Sequence, residues 1–177
     1  FNEVLEWAKT VCRNENENLI VSPKYDGVAG DWCDGVLSTR GDGNDGDDLS
    51  GKLSMIELES DSGCNPPLGS FKENCRGEIL MKSDEFARHH GTFKTQRAAA
   101  AGLLGRNEAD SDFTLSFVRY DLHEIRLMKR DLTETRWHEI QTQFRALPYP
   151  QDGIVLKLAD QAYGDSLGCT AHHPHSA

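Results

Sequence analysis

The 177-residue chain has no apolar run approaching a membrane span, no Cys-x-x-Cys pair and no surplus of positive charge. Each absence excludes something. A bilayer-crossing helix needs about 20 consecutive apolar residues, so no membrane partner is expected. The five cysteines, an odd number, are scattered as Cys12, Cys33, Cys64, Cys75 and Cys169. That argues against a disulfide scaffold and against a closed zinc site, and reduced thiols in a cytoplasmic protein are the expectation. With 29 acidic against 19 basic residues the net charge is -10. This stretch alone then lacks a broad basic surface for gripping nucleic acid, although Arg97, Arg106, Arg126, Lys129 and Arg130 leave room for a local basic face. No basic-then-apolar signal pattern opens the chain, which starts on Phe1-Asn2-Glu3 without an initiator Met. A fragment, a processed chain or a trimmed piece is expected. The length suits one domain of ordinary size, residues 1–177.

What is present is a set of polar clusters between apolar runs. Leu19-Ile20-Val21-Ser22-Pro23 reads as a short buried strand delivering Lys24-Tyr25-Asp26-Gly27. Burial would disfavour the lysine cation, and a lysine amine attacks only when neutral, so a buried Lys24 would be a nucleophile. A Lys-x-Asp-Gly tetrapeptide by itself is most often a surface turn. It gains weight from Thr39-Arg40-Gly41-Asp42-Gly43, from Arg76-Gly77-Glu78, from Arg97 ahead of an alanine run, and from Asp152-Gly153-Ile154-Val155-Leu156-Lys157. Such clusters suggest strand ends converging on one pocket.

Periodicity supplies the frame. Glu3 to Arg13 reads as a helix with Val4, Leu5, Ala8, Val11 and Cys12 on one face. Val28–Trp32 and Val36–Thr39 read as strands around a hairpin turn at Asp34-Gly35. Gly41 to Gly51 is an acidic loop. It fails the EF-hand pattern, because the sixth position counted from Asp42 is Asp47 rather than glycine. Asp61 to Asn74 is a second loop. A strand is expected over Gly77–Met81, a helix over Asp84–His90 capped by Ser83 and ending in solvated histidines, and an alanine-rich helix over Thr95–Leu104. Phe113–Asp121 reads as an alternating strand. A helix running to about Leu147 starts on Asp131 and Glu134 in capping-box fashion, burying Trp137, Ile140, Phe144 and Leu147. The apolar run in Asp152–Leu158 suggests a strand buried on both faces. From Gly164 on the chain is loop-like, and the His172, His173 and His175 cluster lies near its end. The fold class is α+β.

Taken together the clusters carry a resemblance. Lys24-Tyr25-Asp26-Gly27 resembles the first signature of the covalent nucleotidyltransferases, the ligases and mRNA-capping enzymes. Thr39 to Ser50, Arg76-Gly77-Glu78-Ile79 and Arg97-Ala98-Ala99-Ala100-Ala101-Gly102-Leu103-Leu104 resemble one branch of that group, the NAD-dependent DNA ligases. So does Leu147-Pro148-Tyr149-Pro150 ahead of Asp152-Gly153-Ile154-Val155-Leu156-Lys157, which is similar to the fourth signature. Leu167-Gly168-Cys169-Thr170-Ala171, followed by Pro174, resembles the stretch before the fifth. The order is the family's and covers nearly the whole chain.

The resemblance implies an adenylation domain of antiparallel sheets with flanking helices, using NAD and Mg²⁺. Lys24 would take AMP from NAD as lysyl-AMP and pass it to the 5′-phosphate of nicked double-stranded DNA. Asp26 and Asp152 would join Lys24 as catalytic residues. Ser22, Arg40, Glu78, Tyr120 and Lys157 would bind the nucleotide, with Glu78 at the ribose hydroxyl, Tyr120 stacked on adenine and Lys157 near it. Arg97 and Arg106 would meet phosphate or DNA, and no metal ligand is assigned. Taken singly, each position has a plainer reading: Arg40 as a loop ion pair with Asp42, Tyr120 as a core aromatic, Asp152-Gly153 as a turn. There are also departures. Ser22 stands where the family has Glu, the hairpin between Asp26 and Arg40 is short, and Gly105 has displaced an arginine to Arg106. The fifth signature, the upstream nicotinamide-capturing domain and the downstream DNA-binding domains are missing. A second ligase chain supplying them is an implied partner, and the expected place is the cytoplasm, or a host cytoplasm for a viral protein. An ATP-dependent nucleic-acid ligase of the same superfamily and a degenerate nucleotide- or partner-binding module are the alternatives.

Overall fold

A computed structural model describes residues 1–41, 46–63 and 65–168. In chain order the elements are α1 (Asn2–Val11), β1 (Asn18–Tyr25), β2 (Val28–Cys33), β3 (Val36–Thr39), β4 (Ile56–Leu58), β5 (Cys75–Leu80), α2 (Ser83–Arg88), α3 (Gln96–Leu104), β6 (Leu115–Arg119), β7 (Ile125–Met128), α4 (Glu134–Arg145), β8 (Gln151–Leu158) and α5 (Gln161–Ser166). One sheet has three strands in the order β7-β1-β8, the other five in the order β3-β2-β5-β6-β4. The fold is α+β, and the larger sheet is mixed, because β4 runs parallel to β6. Among the described residues no helix is long and apolar enough to cross a membrane.

The chain divides into two compact units, each assembled from separated stretches. The first holds Phe1–Lys24, His123–Leu147 and, among the described residues, 153–168. Its core joins Ala8 and Val11 of α1, Leu19 and Val21 of β1, and Trp137, Ile140 and Phe144 of α4. The 3.6-residue period that identifies α1 and α4 in the sequence is the same one that turns these side chains inward. The start of α4 differs from expectation. Asp131 lies in a preceding single 3₁₀ turn, and Thr133 is the cap, its side chain accepting the Arg136 amide at 3.2 Å. A threonine hydroxyl one residue before the helix reaches that orphan N–H, which Asp131, further out, does not. In β8, Ile154 and Val155 are only partly buried, so burial on both faces does not hold; β8 is an edge strand of its sheet. The chain from Gly164 is not all loop either, since α5 runs to Ser166, capped by Asp160. The histidine-rich tail and Cys169 lie outside the described residues, as do Asp42 to Asp45 and Cys64.

The second unit holds Tyr25–Leu122 and Pro148–Asp152. Asp34 and Gly35 form the expected two-residue hairpin, with φ of 51° and 85° between the paired Cys33 and Val36. Both positions need positive φ, which Asp tolerates and Gly adopts freely. The core packs Trp32, Leu37, Ile56, Ile79 and Phe117 of the sheet under Ala99, Ala100 and Leu103 of α3. Thr95 caps α3 by accepting the Ala98 amide at 3.0 Å. Ser83 does not cap α2: that helix begins at Ser83 itself, and no side chain caps it. His89 is not a solvated end, because its ring lies 4.3 Å from Phe113 and Nε2 sits 3.3 Å from Glu85. Alternation in β6 does not separate an inner from an outer face: Leu115, Ser116, Phe117 and Val118 are all buried. The strand lies between β5 and β4, and Glu59, just after β4, supplies the polar partner that lets Ser116 be interior. Cys12, Cys33 and Cys75 are free thiols.

Candidate nucleotide site

The site begins with two close backbone approaches. A Cβ on Gly27 would lie 2.4 Å from the Ile79 carbonyl oxygen, and one on Gly77 would lie 2.4 Å from that of Val118. Glycine therefore lets the backbone at Gly27 sit against β5, and β5 against β6. The β2–β5 register places Ala29 opposite Glu78 and Asp31 opposite Arg76. Since side chains alternate along a strand, these four share the sheet face opposite to Gly30 and Trp32.

Glu78 is the centre of that face. It is buried, its Oε1 accepts the Gly27 amide at 3.0 Å, and its Oε2 accepts the Tyr120 hydroxyl at 2.6 Å. Burial pushes its carboxyl above the ordinary glutamate range, against the opposing pull of these two hydrogen bonds and of Arg97. Tyr120 is 37% exposed, so it is not a core aromatic. Burial of its hydroxyl and the bond to Glu78 raise its phenol. Arg97 on α3 donates from Nη1 to Asp26 Oδ1 at 3.1 Å and remains 64% exposed. Arg40 follows β3, its amide bonded to the Ala29 carbonyl at 3.0 Å and its side chain exposed. Gly27, Ala29, Thr39, Arg40, Glu78 and Arg97 line a cleft of ≈ 430 Å³. A neighbouring cleft shares Ala29, Thr39 and Arg40 and adds Asp31, Arg76 and Tyr120. A buried carboxylate beside two guanidinium groups and an exposed aromatic ring suits a ligand with hydroxyls, an anion and a flat base. In the second unit, then, Asp26, Arg40, Glu78, Arg97 and Tyr120 come together.

Arg106 and Asp152 are the other expected residues of the second unit. Arg106 pairs with Asp110, lies over the Phe113 ring at 5.5 Å and does not line the cleft. Asp152 belongs to the second unit, within strand β8; the turn reading of Asp152-Gly153 does not hold. In the first unit Ser22 is buried in β1. Lys24 lies on the same strand and is exposed, so the expectation of a buried lysine does not hold. A Cβ on Gly153 would rest 3.7 Å from the Lys24 Cδ, so β8 packs along the lysine stem. Lys157 donates from Nζ to Glu124 Oε1 at 2.7 Å. Asp42, the partner in the plainer reading of Arg40, lies outside the described residues. Among the described residues no group of three or more His, Cys, Asp or Glu is placed to hold a metal ion.

Sequence reasoning missed Glu59, Lys82, Ser116, Tyr149 as a hydroxyl donor, and Glu124 as the partner of Lys157. Glu59 is buried with bonds from Ser116, Lys82 and Tyr149. These pairs span up to 90 residues of chain, and no local spacing announces them.

No protein-family model matches the chain. Comparison with curated proteins does find relatives. The DNA ligase of Pelodictyon phaeoclathratiforme is 29% identical over 208 residues, which is 91% of this chain and 30% of that protein. The DNA ligase of Chlorobium phaeobacteroides strain DSM 266 is 30% identical over 210 residues, 91% of this chain and 31% of the relative. This chain is similar to one part of the DNA ligases. A third relative, the DNA ligase of Chlorobaculum tepidum, is 30% identical over 207 residues, covering 87% of this chain and 30% of its own length. The chain thus spans under a third of the curated relatives it matches.

Proposed function

We propose that residues 1–177 act as one adenylation domain of a DNA ligase, with the covalent nucleotidyltransferase fold and NAD as the AMP donor. The observation that carries this is the bond from the Gly27 amide to Glu78 Oε1, 3.0 Å long. It joins Gly27 of the first signature to Glu78 of the ligase-like Arg76-Gly77-Glu78 stretch at one cleft, in a chain similar to DNA ligases over 91% of its length.

In this reading the Lys24 amine, as the neutral base, attacks the α-phosphorus of NAD. An N–P bond forms, the P–O bond to nicotinamide mononucleotide breaks with its electron pair leaving on that group, and the amine proton passes to water at the exposed side chain. AMP then moves from Lys24 to a DNA 5′-phosphate, and the 3′-hydroxyl of the nick displaces it. Glu78 receives the ribose hydroxyl in place of the Tyr120 hydroxyl, freeing the exposed Tyr120 ring to cover adenine. Arg40 and Arg97 face the phosphate, with Arg97 leaving Asp26 as the anion arrives, and Arg106 reaches DNA phosphate. Asp26 of the first signature and Asp152 of the fourth are the acids that serve with the reacting lysine. Ser22 and Lys157 serve base recognition, where Ser22 offers a hydroxyl and no charge. Mg²⁺ would supply neutralisation of the charge that develops on the phosphate. Nicked DNA and a second chain bearing further ligase parts are the partners, and the cytoplasm, the host's if the protein is viral, is the place of action.

The test is intact mass and peptide mapping after incubation with Mg²⁺ and either NAD or ATP, with Lys24→Ala alongside. The expected result is an AMP adduct on Lys24 from NAD alone, absent in Lys24→Ala. An adduct from ATP alone would assign the ATP-dependent branch. No adduct from either donor would sink the catalytic reading and leave a nucleotide- or partner-binding module.

A further inference from the structure

Glu59 follows β4 in the second unit, its amide bonded to the Phe117 carbonyl at 3.0 Å. Its carboxylate is 6% exposed and fully engaged. Oε1 accepts the Ser116 hydroxyl at 2.7 Å and the Lys82 ammonium at 2.9 Å, while Oε2 accepts the Tyr149 hydroxyl at 2.9 Å. Burial pushes this carboxyl up, but the bonds from Ser116, Lys82 and Tyr149 outweigh it and hold it below the ordinary range. A buried charge of this kind is costly unless it is paired and hydrogen-bonded.

Tyr149 lies in Pro148–Asp152, a five-residue strap that belongs to the second unit although the stretches on both sides of it belong to the first. Pro148 and Pro150 have no N–H to donate. Their carbonyls accept instead, that of Pro148 from the Ser83 amide at 3.0 Å and that of Pro150 from the Asp26 amide at 2.9 Å. The Tyr149 ring meets Tyr25 edge-on at 5.8 Å, over Leu80 and Val118. The strap thus docks through its middle residue, Pro150, on the backbone of Asp26, two residues after Lys24, and carries Asp152 at its end.

We infer that Glu59 is a positioning residue: through the Tyr149 hydroxyl it fixes the Pro148–Asp152 strap against the Asp26 backbone. Its consequence for catalysis rests on the adenylation reading above. Lys82 and Ser116 hold the carboxylate in place, and the two prolines stiffen the strap so that a tether at Tyr149 is felt at Pro150. The effect on the reaction is one of geometry, since Glu59 touches neither nucleotide nor Lys24 in this scheme.

Amide hydrogen exchange by NMR on the whole chain tests the tether without any reaction. Tyr149→Phe removes only the hydroxyl and keeps the ring against Tyr25; Glu59→Gln keeps the shape and removes the charge. Each is expected to speed exchange at Asp26 roughly ten- to hundred-fold relative to Ile79 in the sheet core, the range a bond to a charged group is worth. The double variant should be no faster than the faster single one, because the two act through one bond. Unchanged Asp26 exchange, or acceleration only in step with Ile79, would overturn the tether. Should one variant fail to fold, the other still reads it. The second arm measures the single-turnover rate of adduct formation on Lys24 with saturating NAD. Tyr149→Phe is expected to lower that rate about tenfold with KM unchanged. A normal rate with fast Asp26 exchange would reduce Glu59 to a structural anchor. If the unaltered chain forms no adduct at all, the adenylation reading fails, and the exchange result alone decides the tether.

Discussion

At the residue scale, Glu59 and Glu78 are both buried glutamates of the second unit, and their surroundings push them in opposite directions. Among the described residues Glu78 bonds to the Gly27 amide and the Tyr120 hydroxyl and to no cation, so desolvation wins and its carboxyl rises. Glu59 has Lys82 as well as two hydroxyl donors, so its carboxyl falls. The linkage signs follow. Folding binds a proton to Glu78 more tightly than the unfolded chain does, so its contribution to stability is complete below the unfolded value and lost as pH rises through the folded one. For Glu59 the contribution is present above the unfolded value and lost as pH falls through the folded one. Side-chain carbon NMR across an acid titration should therefore give Glu78 a midpoint above that of exposed glutamates and Glu59 one below. Tyr120→Phe should raise the Glu78 midpoint further, because it removes a donor to the charged form. A Glu78 midpoint that stays put would mean that the 2.6 Å bond is not made in solution.

At the element scale, the glycines decide how closely strands approach. Gly77→Ala drives a methyl group to within 2.4 Å of the Val118 carbonyl and 2.9 Å of the Phe117 ring, both in the sheet interior. Backbone cannot step aside as a flexible side chain can, so a loss of about 1–3 kcal/mol or more is expected in urea unfolding, with Glu78 displaced. Gly69→Ala, where a Cβ meets nothing within 4 Å, should change little. Thr95→Ala removes the cap on α3 and should cost about 1 kcal/mol by the same measurement. What was legible in the sequence sorts along this line. The Asp34-Gly35 hairpin, α1, α3 and the buried stripe of α4 are local patterns, fixed by turn chemistry or by a 3.6-residue period, and they stand where expected. The parallel pairing of β4 with β6 and the interior Ser116 are not local: only the partner Glu59, 57 residues away, makes a buried serine hydroxyl tolerable. The cap of α4 was misread because Asp131 and Thr133 are both good capping residues, and only the 3₁₀ turn at 129–131 decides between them. In the candidate site, motif order drew attention to Glu78, Tyr120, Arg40, Arg97 and Asp26, whereas the acids that hold other site residues, Glu59 and Glu124, belong to no motif.

At the scale of the whole molecule, the question is how an acidic chain would meet DNA. The five cations that suggested a basic face do not stand as free charges. Arg97 pairs with Asp26, Arg106 with Asp110, Arg126 with Glu124 and Lys129 with Glu15, while Arg130 bonds to Asn16. Each paired cation must give up or share a carboxylate before it can neutralise a phosphate, and the net charge of -10 opposes approach at long range. Binding driven by counterion release scales with the number of phosphates neutralised. With only one or two cations freed, this chain alone should bind a nicked duplex no more tightly than the nonspecific range of about 10⁻⁴–10⁻⁶ M, and lose about tenfold or less between 50 and 200 mM salt. Fluorescence anisotropy of a labelled nicked duplex at those two salt concentrations reads both quantities. Arg97→Ala should flatten the salt dependence if Arg97 is the cation that exchanges Asp26 for phosphate; Arg130→Ala, on the other unit, should leave it unchanged. A loss of a thousandfold over the same interval would mean that most of these intramolecular pairs open on contact with DNA, and that the ion pairing seen in the folded chain does not limit its grip.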